Sequence, residues 1–232
     1  MTPGIALVTG AAGGLGSAIA VELASRGWSL VLTDRPGADL TSLMSGLRSA
    51  HPSGVFEAVA ADLEQPEQIA QLVRSAGRLD CLINNAAMPS SARLVDMTVS
   101  EWDRVLNVNL RAPMLLMQAV FSVFAKQGTG GSIVNVASRV WATGGPAAYV
   151  AAKAGLVGLT HAAAFEYGGL GVRVNAVAPS AVETAFTAGS RSASALADFQ
   201  ARQAALSALG RAPDVREVAT SVAFLAGCVL ST

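Results

Sequence analysis

The sequence predicts a doubly wound α/β fold, in which a mainly parallel sheet is flanked by helices on both faces. Three observations lead to this prediction. Short apolar runs recur along the chain, helix-like segments lie between them, and a glycine-rich turn follows the first run. Such an alternation is typical of parallel sheets whose strands are connected by helices.

Six apolar runs are the predicted strands. Most are almost continuous in hydrophobicity, as in IALVT at the start of the chain, and this is typical of strands buried on both faces of a parallel sheet. The intervals between the runs leave room for a helix. The predicted strands cover residues 5–9, 29–34, 55–60, 79–84, 132–137 and 172–178.

Five segments between and after these runs are predicted to be helical. The first ends at Gly27, a good stop residue, and the second opens with Pro66, which suits a first helical position. Pro113 has no N–H to donate, so it predicts a kink or an interrupted turn inside the third. The predicted helices cover residues 17–26, 66–76, 101–125, 149–167 and 214–226.

Composition and charge exclude several classes of protein. Hydrophobic residues make up 52% of the 232, whereas the sixteen basic and sixteen acidic residues cancel, so no global field would attract nucleic acid or an anionic membrane. No apolar run approaches the roughly 18–20 residues of a membrane span. Cys81 and Cys228 match no metal-ligand or redox spacing and are interpreted as reduced packing residues. We expect a soluble cytoplasmic protein with one domain over residues 1–232.

The two longest predicted helices are more apolar than an ordinary surface helix. In 101–125 and 149–167, apolar residues extend well around the helix, so each needs cover on more than one side. One side would pack on the sheet and the other on a second subunit. The sequence therefore predicts a homo-oligomer, a tetramer or a dimer, through these two helices.

The glycine-rich turn TGAAGGLG, residues 9–16, is the first candidate binding site. Gly10, Gly14 and Gly16 permit a tight turn and close approach of the backbone to a ligand, and Leu15 lies between the last two. The helix that follows would direct its free N–H groups at a phosphate. A plain structural turn is the alternative, but the position between strand and helix favours a Rossmann-type dinucleotide site.

Asp34 and Arg35 bear on the choice of dinucleotide. Asp34 falls at the end of the second strand, where an acid can bond the adenosine ribose hydroxyls of NAD and repel the extra phosphate of NADP. Alternatively, it is a turn-forming residue in DRPG. Arg35 could accept a 2′-phosphate, but Asp34 is closer to the strand end, so we expect NAD rather than NADP.

The pentapeptide YVAAK places Tyr149 and Lys153 one helical turn apart, on one face of a predicted helix. By themselves, the two residues could be an exposed pair on a helix surface. The motifs that precede them in the chain favour a catalytic pair instead.

In these motifs the chain resembles the NAD(P)-dependent short-chain dehydrogenases/reductases, from residue 5 to about residue 226. Thr9, Gly10, Gly14 and Gly16 match the family's glycine motif, and NNAA at 84–87 resembles its N-N-A-G stretch. The resemblance implies adenine contacts from Asp62 and Leu63 and cofactor contacts from Asn85 and Ala86. Among later segments, it identifies Asn109, Ser138, Tyr149 and Lys153 as catalytic, with Tyr149 and Lys153 also at the cofactor, and it places Pro179 and Thr184 near the nicotinamide.

The resemblance also implies a role for each catalytic residue. Tyr149 would exchange a proton with the substrate oxygen, as a phenolate favoured by the Lys153 ammonium and the positive nicotinamide ring. Lys153 would also bond the nicotinamide ribose. Ser138 would hydrogen-bond the reacting oxygen, and Asn109 would anchor a water that links Lys153 to solvent.

Departures from the family pattern lie at three places. Ala87 and Ser180 stand where glycine is usual, so the backbone near the nicotinamide is expected to differ slightly. The family's short last strand, ending in Asp-Gly-Gly, has no counterpart after GCVLST, which suggests a truncated C-terminus with effects on stability and assembly.

The expected activity is hydride transfer between NAD(H) and a secondary alcohol or ketone. An NADPH-dependent 3-ketoacyl-type reductase and a non-catalytic dinucleotide-binding redox sensor are the alternatives. The resemblance implies that residues 185–210 form a mobile flap over the substrate, where Arg191 or Arg202 could select an acidic substrate or remain a solvated charge. Trp141 could pack or contact substrate, and no sequence feature identifies the substrate.

Overall fold

A six-stranded parallel sheet forms the centre of the protein. The computed structural model describes residues 4–189 and 192–227 and orders the strands β3-β2-β1-β4-β5-β6. This confirms the predicted fold class. The order changes direction between β1 and β4, which opens a crevice beyond the carboxyl ends of these strands. The strands are β1 (Ile5–Thr9), β2 (Ser29–Asp34), β3 (Phe56–Ala60), β4 (Cys81–Asn84), β5 (Gly131–Val136) and β6 (Val172–Val177).

The central strands are apolar because both of their faces are covered. β1 is buried from its second residue to its last, and β4 is buried throughout. The register places Thr9 opposite Thr33 and Val8 opposite Ile83, so the polar ends of the three strands come together at one edge of the sheet. That edge is where the predicted site residues follow.

Helices cover both faces of the sheet. On one face, α1 (Gly14–Ser25) and α10 (Val215–Gly227) pack beside α2 (Thr41–Ala50), with buried side chains that include Leu23, Leu47 and Val222. The other face is covered by α3 (Pro66–Ala76), α5 (Ala112–Gln127) and α7 (Ala147–Tyr167). The described helices are completed by α4 (Val99–Leu106), α6 (Val140–Thr143), α8 (Ala185–Ala188) and α9 (Ala193–Ala205), with single 3-10 turns at Leu94–Asp96 and Gly168–Leu170.

The helix predicted over 101–125 is interrupted, as Pro113 indicated. α4 and α5 are joined by a π-helical turn at Asn107–Arg111. Pro113 cannot donate the i→i−4 bond that the carbonyl of Asn109 would accept in an α-helix, so the turn widens ahead of the proline. The backbone is irregular at the candidate catalytic asparagine for this reason.

Our expectation that no segment reaches membrane-spanning length needs a correction. By length and composition, the continuous helical stretch Val99–Gln127 could cross a membrane, because it contains an 18-residue window with a mean hydropathy of 1.4. The π turn joins two helices into this one stretch. Leu116, Val120 and Phe124 of its second half are buried against the sheet, which accounts for its apolar composition as that of a core helix.

Cys81 is a packing residue, as predicted. It lies in β4 with no exposed surface, and burial raises the pKa of its thiol to about 12. A thiol in such surroundings is inert, since the thiolate is the reactive species. Cys228 lies outside the described residues.

Candidate active site

The glycine-rich turn forms a cradle that side chains would fill. Gly10 has a φ of +66°, and a Cβ at this position would lie 2.8 Å from the Cα of Ala86. A Cβ at Gly16 would overlap the carbonyl oxygen of Gly10. The turn therefore keeps its shape only with glycine at both positions, and it leads directly into α1, whose first N–H groups are free for a phosphate. These residues fit the pyrophosphate of a dinucleotide.

Replacing Gly16 with alanine should weaken NADH binding at least tenfold, because the loop must move away from the new methyl group. The same clash should cost about 1–3 kcal/mol of folding free energy. Binding is measured by NADH fluorescence and stability by thermal unfolding without nucleotide. Gly46→Ala is the control, since no heavy atom lies within 4 Å of its added Cβ. Unchanged NADH binding by Gly16→Ala would rule out this turn as the phosphate site.

Asn85 ties the glycine turn to the segment after β4. Its side-chain amide donates to the carbonyl oxygens of Thr9 and Gly10, at 2.9 Å and 3.2 Å. The backbone N–H groups of Asn85 and Ala86 both donate to Thr9 Oγ1, each at 3.0 Å. The two predicted cofactor segments therefore form one surface. Described non-glycine residues have no positive φ, so Ala87 and Ser180 replace glycine without backbone strain.

Asp34 faces the glycine turn from the end of β2. One carboxylate oxygen accepts the N–H of Ala12 at 2.9 Å, and the other accepts the N–H of Arg35 at 2.8 Å. Each oxygen keeps a further lone pair for a ligand hydroxyl. The side chain of Arg35, by contrast, is exposed. The acid thus contacts the glycine turn directly, whereas the base is open to solvent.

Asp62 and Leu63 are half-buried in the loop after β3. The N–H of Asp62 donates to Gln68 Oε1 at 2.8 Å, and its carboxylate accepts the N–H of Glu64 at 2.9 Å. The preceding residue, Ala61, donates its N–H to the carbonyl of Asp34 at 2.9 Å. This loop is consequently held beside the end of β2, on the predicted adenine side of the site.

Tyr149 and Lys153 lie on one face of α7, as the spacing predicted. The ammonium of Lys153 is 5.6 Å from the centroid of the Tyr149 ring and donates to the carbonyl oxygen of Val136 at 2.7 Å. Val136 is the last residue of β5, so the bond anchors the lysine at the strand end just before Ser138. The Lys153 side chain is almost fully buried, at 2% exposure.

Burial acts on both members of this pair. It raises the pKa of Tyr149 to about 12 and lowers the pKa of Lys153 to about 8. In both cases the cause is desolvation. Our expectation that the Lys153 ammonium and the nicotinamide ring together favour the phenolate stays a prediction. At neutral pH, Tyr149 is a phenol that can donate a proton.

Ser138 lies in the loop between β5 and α6 and is half-buried. Its Oγ accepts the N–H of Val140 over a long distance of 3.5 Å. This weak contact leaves the hydroxyl hydrogen available to another oxygen. Trp141, in α6, is 46% exposed and so is not a core packing residue.

Asn109 is fully buried, and its side chain is occupied by protein groups. The amide donates to the carbonyls of Met88 and Val105, both at 2.9 Å, and its oxygen accepts the N–H of Met88 at 3.2 Å. These bonds hold the segment after β4 against the π turn. They satisfy both amide hydrogens of Asn109, and the water that this residue is expected to anchor stays a prediction.

Pro179 and Thr184 belong to the segment that follows β6. The carbonyl of Pro179 accepts the N–H of Arg139 at 3.0 Å, which joins this segment to the loop of Ser138. A Cβ built on Gly14 would lie 3.0 Å from the Cγ2 of Thr184, so the threonine packs directly on the glycine turn. Both ends of the predicted nicotinamide segment are therefore close to other predicted site residues.

The sequence profile of the short chain dehydrogenases matches residues 4–195. The chain is a member of this short-chain dehydrogenase family. It is 39% identical to the (5R,7aS)-5-hydroxy-7a-methyl-1-oxo-2,3,5,6,7,7a-hexahydro-1H-indene-carboxyl-CoA reductase of Mycobacterium tuberculosis, over 96% of this chain and 86% of that protein. It is 38% identical to a 3-oxoacyl-acyl-carrier-protein reductase of Thermotoga maritima, over 96% and 89% of the two chains.

A solved structure of a protein assigned as an NAD(P)-dependent gluconate 5-dehydrogenase, from Beutenbergia cavernae and with NADP bound, aligns with a TM-score of 0.87. That protein is 36% identical, and the alignment covers 96% of this chain and 88% of the other. These similarities show an oxidoreductase of hydroxyl or carbonyl groups that belongs to a family binding nicotinamide dinucleotides. They leave NAD and NADP as alternatives.

In this short-chain dehydrogenase, the predicted residues lie in two connected groups. The first surrounds the glycine turn and includes Asp34, Asn85 and Thr184. The second lies at the end of β5 and includes Ser138, Tyr149 and Lys153. Among residues 4–189 and 192–227, no group of three or more His, Cys, Asp or Glu side chains could hold a metal ion.

Two side chains near the second group were not predicted from the sequence. The ring of Phe186, in α8, lies 6.2 Å from the ring of Tyr149, centroid to centroid. Arg139, directly after Ser138, reaches into the flap and donates to Gln203 of α9 at 2.8 Å. Its position directly after Ser138 was the sequence signal that could have identified it. Arg202 is exposed, and Arg191 lies outside the described residues.

Proposed function

We propose that this short-chain dehydrogenase transfers hydride between NAD(H) and a secondary alcohol or ketone, with Tyr149 as the acid/base. The observation that supports this most is the buried ammonium of Lys153 beside the Tyr149 ring, held by Val136 at the strand end that leads to Ser138. Burying a lysine costs free energy, and a packing role would be filled better by an apolar side chain.

The dinucleotide would be held by the glycine turn and by residues at or after the ends of the neighbouring strands. These are Asp34, Asp62, Leu63, Asn85, Ala86, Pro179 and Thr184. When the dinucleotide is bound, its nicotinamide supplies the hydride acceptor in oxidation and the hydride donor in reduction. The proton exchanged with the substrate oxygen is handled by the polypeptide. In reduction, Tyr149 gives its phenolic proton to the substrate oxygen, and the raised pKa keeps that proton in place at neutral pH.

Ser138 and Lys153 assist this proton transfer. The Ser138 hydroxyl donates to the reacting oxygen and holds it beside the phenol. Lys153 replaces the proton lost by Tyr149, since its lowered pKa of about 8 lets it release a proton near neutral pH. Asn109 would anchor the water that returns a proton from solvent.

The test of this function is turnover of a panel of secondary alcohols with NAD⁺ and of the matching ketones with NADH, followed by nucleotide absorbance. A non-catalytic redox sensor would bind nucleotide and turn over no member of the panel. That outcome would remove the enzymatic proposal.

The preference for NAD rests on Asp34. Replacing Asp34 with alanine should shift the ratio of NADPH to NADH affinity about tenfold or more toward NADPH, because the repulsion of a 2′-phosphate is removed. Affinities for both nucleotides are measured by calorimetry, and only the ratio within each variant is compared. Asp39→Ala is the matched control, since Asp39 also caps a backbone N–H, that of Thr41 at 2.8 Å. An unchanged ratio in Asp34→Ala would contradict the role of this acid.

An NADPH-dependent 3-ketoacyl-type reductase is the second candidate. Arg35 favours it, because an exposed guanidinium next to Asp34 could accept a 2′-phosphate. If the wild-type protein binds NADPH more tightly than NADH, this candidate replaces the first.

We further propose that the chain forms one cytoplasmic domain that assembles as a tetramer or dimer. An open groove between α4, the π turn and α7 is lined by apolar side chains that include Leu106, Leu110 and Leu159. A second subunit would cover this face, as the apolar character of helices 101–125 and 149–167 predicts.

A further inference from the structure

Arg139 lies where the catalytic loop meets the flap. It follows Ser138 directly, and its N–H donates to the carbonyl of Pro179 at 3.0 Å. The backbone of Arg139 is therefore held between the candidate catalytic serine and the segment that is predicted to contact the nicotinamide. Its side chain is half-buried.

The guanidinium of Arg139 bonds a side chain that lines a small cavity next to Thr184. Its Nη2 donates to Gln203 Oε1 at 2.8 Å. Gln203 lines a cavity of about 80 Å³, together with Val182, Thr184 and Leu196. The cavity therefore borders Thr184, which packs on the glycine turn, and Gln203, which binds Arg139.

No carboxylate neutralises this guanidinium among residues 4–189 and 192–227. Glu183 also lines the cavity, but its carboxylate accepts from Gln200 at 3.0 Å. Some other arginines have a carboxylate partner. The Nη2 of Arg211, for example, lies 2.7 Å from the Oε1 of Glu217. A half-buried cation that has only a neutral amide for a side-chain partner gains free energy from an anion that replaces or joins that partner.

We infer that Arg139 determines substrate specificity by binding a carboxylate on the substrate. This inference rests on the proposed function, since it assumes that the reacting carbon lies between Ser138 and Tyr149. A carboxylate elsewhere on the same substrate would meet the guanidinium through two parallel hydrogen bonds. The substrate class is therefore a hydroxy acid or keto acid whose carboxylate is separate from the carbon that is oxidised or reduced.

Binding of unreactive probes tests the inference without requiring turnover. The probes are pairs of a carboxylate and its neutral amide: butyrate and butyramide, benzoate and benzamide, cyclohexanecarboxylate and cyclohexanecarboxamide. Saturation-transfer NMR measures their binding to the wild-type protein with NADH present, and to Arg139→Gln, Arg139→Lys and Arg202→Gln.

In at least one pair, the wild-type protein should bind the carboxylate about tenfold or more tightly than the amide. Arg139→Gln should lose that preference, whereas Arg139→Lys should retain part of it, because lysine keeps the charge but not the planar fork. Arg202→Gln should behave as wild type, since Arg202 is exposed on the same helix as Gln203.

Two results would overturn the inference: the absence of a carboxylate preference in every pair, or a preference that survives in Arg139→Gln. Both are distinct from failure of the proposed function. If a neutral alcohol is oxidised and no pair shows a preference, the chemistry stands and the role of Arg139 does not. If carboxylates bind through Arg139 but no alcohol or ketone reacts, the role of Arg139 stands and the proposed chemistry does not.

Discussion

Replacing Tyr149 with phenylalanine should reduce kcat about 10²- to 10⁴-fold in both directions of the reaction. The phenol is the group that exchanges a proton with the substrate oxygen, and phenylalanine keeps the ring while removing that proton. No described residue forms a side-chain hydrogen bond with the Tyr149 hydroxyl, so the variant should fold with nearly unchanged stability. NADH binding should remain within a few-fold of wild type, because the glycine turn and Asp34 are untouched.

The chain supplies a matched control for this experiment. Tyr167 is the other of the two tyrosines, and its ring stacks on Phe121 with centroids 3.3 Å apart. Tyr167→Phe removes the same hydroxyl and keeps this contact, so kcat should not change. Steady-state turnover and NADH fluorescence are measured for both variants. If Tyr149→Phe turns over substrate at the wild-type rate, another group provides the proton and the proposed mechanism is wrong.

Much of the fold could be predicted from local sequence patterns. β1, β2 and α3 have the predicted bounds, because continuous apolar runs and an N-terminal proline are local signals that tertiary packing reinforces. α2 was missed, since its apolar residues, Leu43, Met44 and Leu47, are few among polar ones. α8 and α9, in the predicted flap, carry no clear apolar periodicity that would distinguish them from a loop.

The residues of the candidate site could be named from the sequence, but their partners could not. The water that Asn109 is expected to anchor stays a prediction, but its side chain bonds Met88, which lies 21 positions earlier in the chain, and the sequence did not reveal this partner. Arg139 and Gln203 are 64 positions apart, and no local pattern relates them. Pairings of this kind depend on how the segments after β4, β5 and β6 meet at the sheet edge. Likewise, the pKa of Tyr149 depends on burial that the helix spacing alone does not reveal.

Replacing Lys153 with methionine should lower kcat about 10²- to 10³-fold and at the same time stabilise the protein at neutral pH. The loss of activity follows from losing the charge and proton donor beside Tyr149. The gain in stability follows from burial, because folding moves an ammonium out of water. The pKa of Lys153 falls from 10.5 in the unfolded chain to about 8 in the folded protein. This shift corresponds to a loss of about 3 kcal/mol of folding free energy.

The pH dependence of this stabilisation has a defined sign. Below about pH 8 the lysine is charged in both the folded and the unfolded state, so its burial costs the full amount. Between about pH 8 and 10.5 the unfolded chain binds more protons than the folded one, so the free energy of unfolding rises with pH. Cys81 and Tyr149 have the opposite effect, because burial raises the pKa of each to about 12. They lower the free energy of unfolding as the pH rises, Cys81 above about pH 9 and Tyr149 above about pH 10.

Comparing Lys153→Met with the wild-type protein at each pH isolates the contribution of Lys153 to stability, because Cys81 and Tyr149 are present in both. Lys153→Met should be more stable than wild type by about 1–3 kcal/mol at pH 7, after allowing for the lost bond to Val136, and the difference should vanish by about pH 10.5. Urea unfolding without nucleotide measures it. The control is Lys126→Met at the other lysine, which is exposed, and its stability difference from wild type should not depend on pH in this range. A Lys153→Met variant that is less stable than wild type at pH 7 would mean that the buried ammonium stabilises the fold, and that a structural role is sufficient to explain its presence beside Tyr149.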